Sequence, residues 1–185
     1  PLSWNYCRYV MIIGVGHKKR QGKSTIARIL FRDWNFQEFT FATPIKEIVD
    51  TVFNFPPFYK QNKEEVFSKV GISYRDACQK IGESFRQTFG SDVWVKCLER
   101  KLEKIEGDVV ISDVRHLEEA EWVKSMGGTL IKVFTSGTLE DEHISENGLN
   151  KYDNWNFIVK NDGSINELEY KIEKIMSEIF DRKLE

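Results

Sequence analysis

A chain of 185 residues with 41% hydrophobic and 30% charged side chains has the length and balance of one self-sufficient globular domain, which excludes a disordered majority and any need for disulfide or metal staples. A formal net charge of −2 excludes a general affinity for nucleic-acid backbone, which shows as a strong basic excess. Cys7, Cys78 and Cys97 have no metal-ligand spacing and make no even disulfide set, so buried thiols in a reducing compartment are expected. The apolar run at 10–13 is too short for a membrane span and lacks the order of a secretory signal, so the chain reads as intracellular.

Residues 8–15 form a short continuous run of apolar and β-branched side chains, a buried strand that Gly14 and Gly16 are expected to break. Ile26, Ala27, Leu30, Phe31 and Trp34 recur at helical spacing, so a helix over 23–34 follows the glycine-bounded loop directly. A second strand is read at 36–41, and Pro44 sits where the first turn of a helix over 45–52 begins. Pro56 and Pro57 interrupt that helix. The stripe Ala77, Ile81, Phe85 and Phe89 gives a helix over 74–89 ended by Gly90, and Asp92 is an N-cap for another reaching about residue 104.

Residues 108–111 are again short, apolar and β-branched, ending in Ser112, Asp113, Val114 and Arg115. Polar groups at the carboxyl edge of a buried strand lie where open α/β sheets bind ligands. A helix over 116–125, the turn Gly127-Gly128 and a strand over 129–134 repeat the alternation, which implies a mostly parallel sheet. Residues 135–152 are rich in Gly, Ser, Asn, Asp and Glu and read as a loop or lid. A last strand at 155–159 and an amphipathic helix carrying Ile165, Leu168, Ile172, Ile175 and Ile179 close one domain spanning 1–185.

The stretch Gly16-His17-Lys18-Lys19-Arg20-Gln21-Gly22-Lys23-Ser24-Thr25 lies between the first strand and the first helix. A phosphate-binding loop needs backbone N–H groups and a helix N-terminus aimed at one anion, a lysine for the outer phosphates and a hydroxyl for Mg²⁺. Gly22, Lys23 and Ser24 fill the last three roles. The usual pattern has four residues between its glycines; Gly16 and Gly22 have five, and His17 stands where the first glycine is expected. The competing reading is a solvated basic turn of Lys18, Lys19 and Arg20. Lys23 would stabilise charge on a transferring phosphoryl group of ATP, with Ser24 and Asp113 as the magnesium-side oxygens. For Asp113 the alternative is an N-cap of the next helix. Arg115 would bridge donor and acceptor phosphates, or pair with Glu118 or Glu119.

Several separated segments resemble the phage-type deoxynucleoside monophosphate kinases, a branch of the P-loop kinases. They are GHKKRQGKST, FATPIKE, QKIGESFRQTFGSDVWVK, ISDVRHLEEAEWVKSMGG, and EHISENGL followed by IVKNDGSINELE. Ser24 stands where many members of that family carry Asp. The resemblance implies an α/β P-loop fold of three layers around a five-stranded, mostly parallel sheet, an acceptor-binding region over about 42–97, a mobile lid over about 135–152, and the reaction ATP + dNMP → ADP + dNDP.

Carried over by position, Lys46, Arg86 and Trp94 lie on the acceptor side: the two cations grip a monophosphate and Trp94 offers a flat face to a base. Trp94 among Val93 and Val95 reads equally as core, and Arg86 as a surface ion pair. His143, Ser145 and Glu146 resemble the family's lid motif. The expected partners are small nucleotides, not nucleic acid or membrane; a homodimer is left open, and a viral source would place the chain in host cytoplasm. The alternatives are a kinase for another small phosphorylated metabolite, as in phosphomevalonate kinase, and a nucleotide-binding regulatory module.

Overall fold

The computed structural model describes residues 11–136 and 148–183. In chain order the elements are β1 (Ile12–Gly16), α1 (Lys23–Trp34), β2 (Gln37–Phe39), α2 (Thr43–Phe53), α3 (Pro57–Gln61), β3 (Val66–Phe67), β4 (Ile72–Ser73), α4 (Tyr74–Phe89) and α5 (Val93–Leu102). They continue with β5 (Val109–Val114), α6 (Leu117–Ser125), β6 (Thr129–Phe134), β7 (Phe157–Lys160) and α7 (Ile165–Lys183). Backbone contacts divide the chain into two compact units, one built from residues up to Thr40 and from Ile105 onward, the other from Phe41–Lys104.

The first unit holds a five-stranded sheet in the order β2-β5-β1-β6-β7. Every ladder in it is parallel. Parallel neighbours need crossover connections, and the helices supply them on both faces. Side chains alternate across a strand. Ile13 and Val15 therefore point into one apolar layer with Ile26, Ala27, Ile29 and Leu30 of α1 and Leu168, Ile172, Ile175, Met176 and Ile179 of α7. Gly14 faces the other way, where a Cβ would come 2.8 Å from Leu130 and 3.2 Å from Val123 of α6. The expected three layers around a five-stranded sheet are present.

Some expectations change. Gly14 and Gly16 do not break the first strand; both lie within β1, because the packing on their face leaves no room for a side chain. β2 is three residues long, shorter than the run at 36–41. β5 extends past Ile111 through Val114, so Ser112 and Asp113 belong to the strand itself. The last strand starts at Phe157, and Trp155 precedes it.

The second unit packs α2 and α4 around Val49, Phe55, Tyr74 and Ala77, with Phe53, Phe67 and Ile81 against them. Its two-residue hairpin strands β3 and β4 pair antiparallel through Val66↔Ser73 and Phe67↔Ile72, and no local pattern marks them. Ser73 caps α4 by accepting the Asp76 amide at 3.1 Å. The α4 stripe is only partly core. Phe89 is 61% exposed, and with Phe85 it lines an apolar groove of about 440 Å³ bounded by Pro44, Ile48, Val52 and Trp94. Asp92 stands at the N-cap of α5 without a side-chain cap bond; its carboxylate pairs instead with Lys96 at 2.8 Å. Cys78 and Cys97 are free and half-buried rather than enclosed.

Candidate active site

β1 is the central strand between β5 and β6; the chain runs from β1 to β2 on the far side of β5, and from β5 to β6 on the opposite side of β1. In an open parallel sheet this topological switch creates a crevice at the carboxyl ends of the strands. The basic loop starts there. Gly16 pairs with Val114 on one side and with Lys132 on the other, and the His17 amide donates to the Val114 carbonyl at 3.2 Å. A Cβ on Gly16 would fall 2.7 Å from the Trp155 ring, so the loop must leave the strand from a glycine.

His17 has φ 96°, a left-handed conformation that costs a residue with a Cβ about 1–2 kcal/mol and that glycine takes freely. His17 therefore occupies the first glycine's backbone position. Counted from His17 to Gly22, the loop has the ordinary four intervening residues, and the fifth disappears because Gly16 belongs to β1.

The loop is closed on itself. His17 Nδ1 lies 3.2 Å from Gln21 Oε1, and Asn161, just beyond β7, donates to the Gln21 carbonyl at 3.1 Å. Gly22 turns into α1 with φ 99° and no side-chain cap. The amides of Thr25 and Ile26 close the first turn on its carbonyl, each at 3.0 Å.

Lys23 is 6% exposed. Its Nζ donates to the His17 carbonyl at 3.0 Å and to the Lys18 carbonyl. Burying an ammonium without partners is strongly unfavourable, and here the loop's own carbonyls supply them. Ser24 is exposed at the start of α1, Thr25 and Lys18 and Lys19 are half-exposed, and Arg20 is exposed. Burial and the cations Lys132, Lys18 and Lys23 hold the His17 imidazole below its usual range, against an upward pull from Gln21.

Asp113 is half-buried, one residue before the Val114 carbonyl that receives the loop. It is not the N-cap of α6; His116 is. Glu119, 3% exposed, accepts the amides of Arg115 at 2.8 Å and His116 at 3.1 Å. Its carboxylate thus fixes the backbone on which Arg115 stands. Among the described residues no cluster of three or more His, Cys, Asp or Glu side chains could hold a metal. Ser24 and Asp113 are both hard oxygen donors of the kind Mg²⁺ takes alongside substrate phosphates rather than in an all-protein cage.

The remaining expected residues lie in the second unit. Lys46 is exposed on α2 and acts electrostatically on the Cys78 thiol, which burial pushes up. Cys78, Gly82 and Arg86 follow one another at four-residue steps on α4, so they share a face. Gly82 makes that face shallow: a Cβ there would sit 3.2 Å from Ile45 and 3.6 Å from the Arg86 guanidinium. Trp94 is a core side chain, 2% exposed, with its indole N–H donated to the Gly82 carbonyl at 3.1 Å and its ring stacked on Phe85 at 5.3 Å. The face expected to meet a base is covered by Phe85. His143, Ser145 and Glu146 lie outside the described residues.

Two participants escaped the sequence reading, Asn161 and Trp155, which reach the loop across more than a hundred residues. Glu119, which the sequence offers as an ion-pair partner for Arg115, accepts the backbone amides of Arg115 and His116.

The deoxynucleotide monophosphate kinase family profile matches residues 58–172, a stretch that includes β5, α6 and β6 and leaves out the loop. A deoxynucleotide monophosphate kinase of Escherichia phage RB69 is 34% identical over 121 residues, 55% of this chain and 49% of that protein. The match thus spans about half the phage protein's length. A protein of Acanthamoeba polyphaga mimivirus, provisionally named deoxynucleotide monophosphate kinase, is 27% identical over 179 residues, 85% of this chain and 92% of its own.

Among solved structures, shikimate kinase from Aquifex aeolicus is similar with a TM-score of 0.51 at 17% identity, covering 94% of this chain and 99% of that one. Dephospho-CoA kinase from Campylobacter jejuni gives 0.51 at 19%, covering 91% and 96%. These likenesses show the fold alone. With the family profile matched over more than half of its length, the chain belongs to the deoxynucleotide monophosphate kinase family.

Proposed function

We propose that the chain is an ATP-dependent kinase that transfers the γ-phosphoryl group to a deoxynucleoside monophosphate, releasing ADP and a deoxynucleoside diphosphate. The observation that carries this reading is Lys23, buried at the mouth of a glycine-shaped loop and held by two loop carbonyls. An ammonium held by neutral carbonyls has stronger partners in phosphate oxygens.

In the proposed reaction an oxygen of the acceptor monophosphate attacks the γ-phosphorus in line while the bond to the bridging oxygen breaks and ADP leaves. No side-chain nucleophile is needed, because such transfers are catalysed by positioning and charge stabilisation. The loop from His17 to Thr25 cradles the triphosphate and Lys23 stabilises the γ-phosphoryl oxygens. Arg115, held by Glu119 through its backbone, balances charge between donor and acceptor. Ser24 and Asp113 would hold Mg²⁺, which neutralises phosphate charge when bound. Lys46 and Arg86 are assigned to the acceptor monophosphate, supported by their position about the shallow face at Gly82. Trp94 is assigned to supporting that face, not to stacking on the base.

The test is ADP release measured with a panel of dNMPs and NMPs, native chain against Lys23→Ala. Acceptor-dependent turnover that the substitution lowers by about two or more orders of magnitude is expected for loss of a principal electrostatic stabiliser. ADP release indifferent to every acceptor, or equal in the two proteins, defeats the assignment.

A further inference from the structure

Position 17 is where the loop departs from the glycine pattern, and the side chain it adds stands inside the loop. Its Nδ1 faces Gln21 Oε1 at 3.2 Å. In the tautomer that donates from Nδ1 to that carboxamide oxygen, Nε2 is the nitrogen that can take up a proton. The backbone of the same residue is tied to the site twice, by its amide to Val114 and by its carbonyl to the Lys23 ammonium.

We propose that His17 is a titrating phosphate-binding group, taking up a proton at Nε2 as the nucleotide's phosphates enter the loop, so that nucleotide binding is coupled to proton uptake. This rests on the reading that the loop binds a nucleotide polyphosphate. Burial holds the free imidazole below its usual range, together with charges from β6 through Lys132, from the loop through Lys18 and from α1 through Lys23. A polyphosphate reverses the sign of that surrounding, and a nearby anion favours the imidazolium. The bound form then titrates at a higher pH than the free one. By linkage, affinity gained from the proton is present below the bound-state midpoint and absent well above it. A glycine at position 17 supplies no such dependence.

The experiment is calorimetry of ADP binding at pH 6.5 in two buffers of different ionisation heat, comparing the native chain with His17→Asn. Asparagine tolerates the left-handed backbone and does not titrate, and the proton uptake of ADP itself is common to both proteins. The native chain is expected to take up about 0.3–0.5 proton more than the variant, and to bind ADP about threefold more tightly at pH 6 than at pH 8 once the variant's own change is divided out.

In parallel, the imidazole resonance that disappears in the variant is followed through a pH titration of the native chain; its midpoint should rise when ADP saturates the protein. This reading stands even if the variant binds poorly. Equal proton counts, or a midpoint that stays or falls on binding, overturn the proposal and leave the loop assignment intact. A native chain that binds no ADP at any pH defeats both.

Discussion

The amide of His17 donates to the carbonyl of Val114 at 3.2 Å, which joins the start of the proposed phosphate loop to the end of the strand that carries Asp113. One hydrogen bond thus sets the loop beside the proposed magnesium-side carboxylate.

Gly16 is the fixed point of that junction. A Cβ there would stand 2.7 and 2.9 Å from two Trp155 ring carbons and 3.0 Å from the Val114 carbonyl oxygen. Neither an indole ring nor a strand backbone yields cheaply. Gly16→Ala is therefore expected to lower stability by about 1–3 kcal/mol, to shift Trp155 fluorescence, and to weaken ATP binding more than dNMP binding. Thermal melting with ligand titration checks this, and an unchanged melting temperature would contradict the packing.

Trp94 separates two roles by chemistry. A base platform needs only an aromatic face, whereas the observed contact uses the indole N–H on the Gly82 carbonyl. Trp94→Phe keeps a face and removes the donor. The expected result is a loss of about 1–2 kcal/mol of stability, as for an unsatisfied buried acceptor and lost ring volume, with KM for the dNMP little changed. A large rise in KM without loss of stability would restore the platform.

Glu119 caps the turn that presents Arg115. Glu119→Ala removes the acceptor from two amides at once and should cost about 1–2 kcal/mol. Because Arg115 is assigned to charge balance during transfer, kcat should fall with a smaller change in KM for ATP. Steady-state kinetics against both substrates tests this; a variant with wild-type kcat would remove the link from Glu119 to Arg115.

Much of the first unit could be read from the chain because its signals are local: an apolar run, a glycine-bounded turn and a periodic helix specify β1, the loop and α1. The errors fall where a residue's role is set by something distant. Gly14 and Gly16 read as strand breakers by propensity, yet Leu130, Val123 and Trp155 dictate them. His17 read as standing at the first glycine's place, but nothing local says that Gly16 belongs to the strand. β3 and β4 have two residues each, too few for any period, and Phe89 fits its helical stripe while facing out. Lys46 and Arg86 could be located only by resemblance, since a cation off the apolar stripe carries no period of its own.

The placement of β1 also bears on how the protein is made. Its two ladder partners begin at Val109 and Thr129, so the strand that launches the loop has no neighbour until synthesis has passed Val109. Such separation slows folding, since loop closure must precede the contacts that reward it. A nascent chain halted before residue 109 would hold every residue from Gly16 to Thr25 and lack both strands that flank β1.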